Sequence, residues 1–214
     1  MEKIELFDGM NREEQEAILT CLDVRSRVYE EDEILTADDM ETGIIGIVVR
    51  GSITIYNEDF WGNRNIIARC GEGDIFGEAF AGAGESLEMD ICMEEKTEIM
   101  YIKYENIIRP CEKHCEFHKL LIANLLKIIS IKNIYLTRKI KHLSKRNIRE
   151  KILSFLSEQA RINQKNEFEI AFNRQELADY LSVDRSAMSR ELSKLKEEQL
   201  LDYRKNNFRL YLRK

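Results

Sequence analysis

Residues 173–195, NRQELADYLSVDRSAMSRELSKL, contain two short helical patterns separated by a break at Ser182. Asn173 is followed three residues later by Glu176, which is the spacing of a helix N-cap and its reciprocal capping acid. The second pattern carries an apolar stripe at helical spacing, formed by Met188, Leu192 and Leu195. The segment therefore predicts two short helices that pack together across a tight turn.

The elements predicted on either side complete a small domain. Residues 148–160 have the apolar periodicity of a helix, and FEIAF, residues 168–172, is typical of a strand. After the two helices, LLDYRKNNFRLYL predicts a hairpin that turns at Asn206 and Asn207. Helix, strand, two helices and a hairpin form a winged helix-turn-helix, which we place at residues 143–214.

The side of the second helix opposite the apolar stripe is rich in short hydroxyl side chains and cations. Short side chains allow close approach to a DNA groove, and arginine can bridge O6 and N7 of guanine. The alternative is a solvated polar face on an ordinary helical domain. We expect DNA contacts from Arg185, Ser186, Ser189, Arg190, Ser193, Lys194, Gln175, Arg204 and Lys205. Further phosphate contacts are expected from Tyr203, Lys145, Arg146 and Arg149.

Charge is distributed unevenly along the chain. The formal net charge is −6 over 214 residues, yet residues 1–100 hold 8 Lys and Arg against 25 Asp and Glu. Residues 101–140 hold 8 against 3, and residues 141–214 hold 17 against 11. A basic C-terminal part favours contact with a polyanion, whereas the acidic N-terminal part serves another purpose.

Residues from about 28 to 104 have a different period from the C-terminal part. Short runs of β-branched and aromatic residues, such as GIIGIVVRGSITIY, alternate with turn signals such as CGEGD. Many short strands at this spacing predict a small β-roll or barrel, which we place at residues 1–108. A short helix over residues 13–22, with Asn11 as its N-cap, precedes the strands.

A long helix is predicted between these two parts. Pro110 is well placed to start it, and we assign residues 109–142 to it. A seam with alternating spacings of four and three residues is formed by Phe117, Leu121, Asn124, Ile128, Ile131 and Tyr135. One face can pack on the β-roll, so we expect another to pair with a second copy, giving a two-fold homodimer through residues 111–140. The alternative is a helix wholly buried within one chain.

Four segments, which together sample essentially the whole chain, resemble those of the Crp/Fnr superfamily of transcription regulators. LFDGMNREEQEAIL resembles the opening helix of the family, GIVVRGSITIY its mid-roll strand and glycine turn, and GEGDIFGE its roll signature. Residues 173–195 resemble its helix-turn-helix, the most specific of the four. The resemblance implies an α+β fold with an N-terminal β-roll (a cyclic-nucleotide-binding-like jelly roll), a long dimerisation helix and a C-terminal winged helix-turn-helix.

The same resemblance implies how such a chain works. The family picture is a homodimeric regulator that binds double-stranded DNA, with RNA polymerase as a candidate partner. Arg185 and Arg190 fall where the family commonly reads bases, and Ser186 stands where many members have a glutamate, which leaves the half-site sequence open. The tracts CEKHCEFHKLLIANLL and DRSAMSREL most resemble members from anaerobic Firmicutes.

In cyclic-nucleotide-binding members, the segment after FGE holds the phosphate through a glycine turn, a glutamate and an Arg-Ser or Arg-Thr pair. Gly77 and Glu78 match the first part, but the positions of the pair fall on Glu88 and Met89. A carboxylate in place of a guanidinium repels a phosphate, so we disfavour cyclic AMP as a cofactor. Two interpretations are open: a pocket for an unknown, different small molecule, lined in part by Phe80, or a loop without a sensing role.

A second sensing candidate lies at the start of the long helix. Cys111, His114, Cys115 and His118 recur at helical spacing on one face. Thiolate and imidazole groups one turn apart can chelate zinc or another soft metal, and the two cysteines can instead be redox-active. Ordinary packing produces the same spacing, because four ligands on one rigid helix cannot easily surround one ion. A metal- or redox-sensing regulator is thus the alternative function.

Composition disfavours several other classes of protein. No apolar stretch approaches the length needed to span a bilayer, and MEKIELFDGM is unlike a signal peptide, so we expect a cytoplasmic protein with no membrane partner. Five cysteines do not suggest a disulfide framework. Residues 1–113 contain no histidine, which argues against a cupin-like metal enzyme on the β-roll. We therefore expect no catalytic residues and no enzyme activity.

Overall fold

The chain folds into two compact units, Met1–Ile131 and Lys132–Lys214. Each unit combines helices with antiparallel strands, which confirms the predicted α+β fold. The structure is a computed structural model, and it describes residues 4–36, 39–58, 64–109 and 116–211.

The first unit is built mainly from short strands. A 3₁₀ turn, Glu5–Phe7, precedes helix α1, Arg12–Leu22, whose predicted cap at Asn11 is confirmed by a bond from the Glu14 N–H at 3.0 Å. The strands are β1 Arg25–Tyr29, β2 Ile34–Leu35, β3 Ile44–Arg50, β4 Ile53–Glu58, β5 Arg64–Cys70, β6 Ile75–Phe76, β7 Asp90–Met93 and β8 Thr97–Lys103. The helices that follow β6 and β8 are α2 Glu78–Ala83, α3 Tyr104–Ile108 and the long α4 Glu116–Leu143.

The eight described strands of this unit form two four-stranded antiparallel sheets, ordered β1-β8-β3-β6 and β2-β7-β4-β5. Side chains alternate along β8: Tyr101 packs with the apolar cluster between the sheets, whereas Met100 packs with the cluster that includes α1 and α4. Any side chain at position 46 would displace Phe76, because a Cβ there would lie 2.0 Å from its ring. The N-terminal β-roll predicted from the strand pattern is confirmed.

Helix α4 presents different faces along its length. Leu121, Asn124 and Ile128 are buried in the first unit, and the Asn124 amide donates to the carbonyl oxygens of Leu6 and Asp8 at 3.1 and 2.8 Å. The first half of the predicted seam is therefore the face that packs on the β-roll of its own chain. An exposed row on the opposite face repeats at three and four residues and consists of Ala123, Leu126, Ser130, Asn133, Thr137 and Ile140, with Ser130, Asn133 and Thr137 as its polar members.

Helix α4 also tests the expectation that no apolar segment is long enough to span a bilayer. Phe117–Leu143 is long and apolar enough to cross a bilayer by length and composition. The expectation that no segment approaches that length is therefore wrong. Length and composition are weak support for a span here, because one face of the helix packs on the β-roll and the exposed row includes polar side chains.

The second unit has the element order of a winged helix-turn-helix. After α4 come α5 Ile148–Asn163, β9 Glu167–Glu169, α6 Arg174–Leu181, α7 Arg185–Glu197, β10 Leu201–Arg204 and β11 Asn207–Leu210. The three strands form one antiparallel sheet ordered β10-β11-β9. The hairpin turns one residue earlier than predicted, at Lys205 and Asn206, because Arg204 pairs with Asn207 across the ladder.

A buried polar cluster joins the end of α4 to α5. His142 is 1% exposed, and its Nδ1 lies 2.8 Å from the Oγ of Ser154. The carboxylate of Glu158 is also buried and pairs with Lys141 at 2.8 Å and Arg138 at 3.1 Å. Burial lowers the pKa of His142, and the hydrogen bond from Lys141 lowers the pKa of Glu158. At neutral pH the cluster therefore holds a neutral imidazole beside an ionised carboxylate.

Acidification is expected to destabilise the second unit through His142. Because its folded-state pKa lies below the ordinary value of 6.5, the unfolded chain binds the proton first as the pH falls. The stabilising contribution is full above that ordinary value and is lost as the pH falls through the folded-state pKa. His142→Gln retains a hydrogen-bonding side chain without titrating, so its Tm should fall less between about pH 7.5 and 5.5 than that of the parent. An equal fall in both proteins would contradict this role.

Candidate nucleic-acid interface

Helices α6 and α7 are each fixed at the N-terminus by a side-chain cap. The Oδ1 of Asn173 accepts from the N–H of Glu176 at 3.0 Å, and the Glu176 carboxylate accepts from the N–H of Asn173 at 2.7 Å. The predicted capping box is therefore confirmed. Asp184 caps α7 by accepting from the N–H of Ala187 at 2.8 Å, and its pKa is lowered first by the hydrogen bond from Ser186. An ionised carboxylate thus stabilises the positive end of α7.

The buried side of α7 is the one predicted from the apolar stripe. Met188, Leu192 and Leu195 are each 0% exposed and lie in the apolar core of the second unit. A helix that buries one stripe directs its other side to solvent. The exposed side of α7 carries Ser186, Arg190, Ser193 and Lys194.

Most cations of the predicted interface are not used inside the fold. On α7 and the wing, the exposed cations that form no ion pair with any described residue are Arg185, Arg190, Arg204 and Lys205. Lys194 differs, because its Nζ lies 3.9 Å from the Glu191 carboxylate. Arg185, Lys205 and Gln175 share a concave surface that encloses about 520 Å³. Exposed cations at a concave surface are suited to phosphates and base edges.

The wing is held to α6 by an arginine that sequence analysis does not single out. The guanidinium carbon of Arg174 lies 4.8 Å from the ring centre of Tyr203 and 4.9 Å from that of Phe208. Its Nη2 donates to the carbonyl oxygen of Lys205 at 3.0 Å, and burial lowers its pKa. Arg174 therefore positions the turn that carries Lys205. No sequence pattern relates this arginine to a hairpin about thirty residues later.

One of the residues predicted to contact phosphate, Arg149, forms ion pairs within the fold. Arg149 pairs with Glu191 at 3.3 Å and with Glu198, so it ties α5 to α7. The expectation that it neutralises a phosphate is replaced by this structural role. Lys145 and Arg146, ahead of α5, are exposed and stay predicted phosphate contacts.

The residues predicted for an effector pocket differ in burial. Gly77 has a φ of 77°, which favours glycine, and Glu78 beside it is 6% exposed. Phe80 and Met89 pack against the cluster between the sheets, whereas Glu88 is exposed. A cavity of about 390 Å³ elsewhere in the first unit is lined by none of these five residues.

The structure covers only part of the predicted metal or redox face. Cys111, His114 and Cys115 lie outside the described residues. His118 is 3% exposed, and its Nε2 lies 3.2 Å from the carbonyl oxygen of Asn106, so this nitrogen contacts backbone inside the fold. Within the described ranges, no group of three or more His, Cys, Asp or Glu side chains is arranged to hold a metal ion.

Two family models match the chain one after the other. The cyclic nucleotide-binding domain matches residues 26–114, and the Crp-like helix-turn-helix domain matches residues 150–213. The matches follow the order of the β-roll and the winged helix-turn-helix, and together they span most of the chain. The chain belongs to the Crp/Fnr superfamily. It is therefore a DNA-binding transcription regulator with a cyclic-nucleotide-binding-like domain.

Solved structures of Crp/Fnr regulators share its fold at low sequence identity. The catabolite activator protein of Thermus thermophilus is 20% identical, with a TM-score of 0.55 over 97% of this chain and 93% of its own. CprK complexed with OCPA is 16% identical, with a TM-score of 0.68 over 94% and 92%. CLP of Xanthomonas campestris, a c-di-GMP responsive regulator, is 19% identical, with a TM-score of 0.56 over 92% and 100%. No curated protein matches the chain.

Proposed function

We propose that this Crp/Fnr regulator is a cytoplasmic homodimer that binds a specific DNA sequence and responds to a small molecule other than cyclic AMP. The observation that carries the DNA-binding part is the set of exposed cations on α7 and the wing without an ion pair among the described residues. They occur in the basic C-terminal part of a chain whose first 100 residues are strongly acidic. No enzyme activity is proposed.

Each part of the surface has a separate role in this proposal. Arg185 and Arg190 read base edges in the major groove, because a guanidinium donates two parallel hydrogen bonds to guanine. The short side chains of Ser186, Ser189 and Ser193 allow α7 to approach the base edges. Phosphates are contacted by Gln175, Lys194, Arg204 and Lys205.

The homodimer forms through α4, within residues 111–140, by the exposed row on the side opposite the face that packs on the β-roll. Leu126 and Ile140 in this row are 59% and 66% exposed, and Ile134 beside it is 51% exposed. Alternating spacings of three and four residues are typical of a two-stranded coiled coil, which buries such a row against its symmetry mate. RNA polymerase is a candidate partner of the DNA-bound dimer.

The small-molecule response is assigned to the β-roll. Glu88, an exposed carboxylate, and Met89, a half-buried thioether, stand where a phosphate clamp needs a cation and a hydroxyl. CprK is complexed with OCPA and CLP is c-di-GMP responsive, which supports different ligands on one fold. Metal or redox sensing is not favoured, because the described member of that face, His118, contacts backbone inside the fold.

Selection from a random-sequence DNA library by the full chain tests this proposal. We expect enrichment of two inverted half-sites with centres about 34 Å apart. Affinity for the enriched sequence should fall with salt, with a slope of about −0.9 in log K against log salt for each neutralised phosphate. A scrambled duplex of the same composition is the control. A library without enrichment, or equal affinity for both duplexes, would contradict sequence-specific binding.

A further inference from the structure

A cavity of about 390 Å³ lies in the first unit between β1, β2, β8 and the segment that leads into β3. Its apolar lining is formed by Leu35, Met40 and Ile44, and two tyrosines, Tyr29 and Tyr101, add aromatic surface. The volume is within the range of small-molecule sites, about 300–1,000 Å³. An apolar and aromatic lining favours a ligand whose body is apolar or aromatic.

The two tyrosines supply a polar group to this cavity. Their hydroxyl oxygens lie 2.7 Å apart, and Tyr29 is 2% exposed. Burial, followed by this hydrogen bond, raises the pKa of Tyr101, so its hydroxyl stays protonated at neutral pH. One hydroxyl donates to the other, which leaves the pair with one O–H hydrogen that no described residue accepts. That hydrogen can donate to an oxygen atom of a ligand.

Two cations lie beside the tyrosines on the same face of the sheet. Arg25 is directly opposite Tyr101 across the β1–β8 ladder, and Lys103 lies two residues further along β8. Both line the cavity, and neither forms an ion pair with a described residue. Arg27 differs, because its guanidinium lies 3.6 Å from the Glu33 carboxylate. Two unpaired cations in so acidic a half of the chain indicate an anionic group in the ligand.

Acidic side chains limit how much negative charge the ligand can carry. Asp23, Asp39 and Glu41 also line the cavity. Asp39 accepts from the N–H and the hydroxyl of Thr36 at 2.9 and 2.8 Å, and these bonds lower its pKa, so it is ionised. A ligand with several negative charges meets repulsion here, whereas a monoanion can pair with the two cations alone.

We propose that this cavity binds a small aromatic monocarboxylate. The carboxylate pairs with Arg25 and Lys103 and accepts the free hydrogen of the tyrosine pair, while the ring packs on the apolar lining. The site is separate from the segment that carries Gly77 and Glu88 and has no role in the DNA contacts proposed above. Ligand binding at this site can therefore be tested independently of DNA binding.

Calorimetric titration of the full chain with 2-naphthoate and with its neutral analogue 2-naphthamide tests the proposal. We expect a Kd of about 0.1–1 mM for 2-naphthoate, which corresponds to roughly 0.3–0.4 kcal/mol per non-hydrogen atom. The amide should bind at least about tenfold more weakly, because it lacks the charge. Equal affinities, or no binding of 2-naphthoate at millimolar concentration, would overturn the proposal.

Matched variants place the binding at this cavity. R25Q together with K103Q removes both unpaired cations and should weaken 2-naphthoate binding about tenfold or more, with little effect on the amide. The control, R50Q together with R69Q, removes two exposed cations of the same unit outside the cavity and should leave both affinities unchanged. An unchanged affinity in the first variant, or an equal loss in both, would overturn the assignment.

The Y101F variant and a measurement of DNA affinity distinguish this site from the proposed function. Y101F keeps the ring and removes one hydroxyl of the tyrosine pair, so it should weaken 2-naphthoate binding about threefold to tenfold. An unchanged affinity in Y101F would contradict the role given to the tyrosine hydroxyls. Affinity for the selected DNA, measured in the same preparations, reports on the proposed function alone. Its loss with intact 2-naphthoate binding would count against DNA recognition and not against this site.

Discussion

Replacing Arg190 with alanine is expected to weaken binding to the selected DNA by about 1–3 kcal/mol and to relax the preference at one base position. Arg190 is exposed on α7, on the side opposite the buried stripe, and forms no ion pair with a described residue. Its removal therefore costs little inside the fold, and the loss reports on its contact with DNA. Fluorescence anisotropy with duplexes that carry each of the four bases in turn measures both effects at fixed salt.

A second arginine provides a matched control for this prediction. Arg204, on the wing, is also exposed and without an ion pair in the described chain, but its expected contact is a phosphate. Arg204→Ala should weaken all duplexes about equally and reduce the salt slope by roughly one. If Arg190→Ala also weakened every duplex equally, α7 would not be the helix that reads bases.

The parts of the interface that sequence analysis predicts correctly depend on short-range rules. The capping box of Asn173 and Glu176 is set by residues three positions apart, and the stripe through Met188 follows from the helical period alone. The capping box and the apolar stripe each depend only on residues close together in the sequence. The start of α6 and the buried side of α7 therefore follow from the sequence alone.

Features that depend on distant partners are not predicted. Four of the five residues of β1 are exposed, so this strand lacks the apolar alternation that identifies strands, and its pairing with β8 joins residues about seventy positions apart. The roles of Arg149 and Arg174 also depend on partners far along the chain. Arg149 pairs with carboxylates on and after α7, and Arg174 packs on the aromatic rings of the wing. The cavity beside Tyr101 exists only once β1 is in place.

The seam of α4 shows a further limit of periodicity. A repeat of three and four residues indicates an apolar face, but it does not say which surface covers that face. Asn124 illustrates this point: a polar residue in a seam is typical of a dimer contact, yet its amide donates to Leu6 and Asp8 of the same chain. The buried half of the seam is therefore occupied within one chain, and the exposed row on the opposite side is the face that we propose for the dimer.

Two single variants decide which face of α4 pairs. Leu126→Glu is expected to dissociate the dimer, because two-fold symmetry brings both carboxylates into the buried seam without a partner cation. Ile131→Glu introduces the same charge at a similarly exposed position, 53% against 59%, on the face that continues the seam predicted from the sequence. This second variant should stay dimeric at micromolar concentration by sedimentation velocity. Dissociation of Ile131→Glu with an intact Leu126→Glu dimer would place the pairing face on the side of Ile131 and contradict the exposed row.

The loss of the dimer should appear as a much larger loss of DNA affinity than any single contact produces. In the dimer, binding of one unit to its half-site presents the second unit at a high effective concentration to the other half-site, a gain of about 10²–10⁴-fold. Leu126→Glu removes this gain while every residue of α7 and the wing is unchanged. Its affinity for a two-half-site duplex should therefore approach that for a single half-site. Arg190→Ala should retain the preference for two half-sites, so the ratio of the two affinities separates loss of the dimer from loss of base contacts.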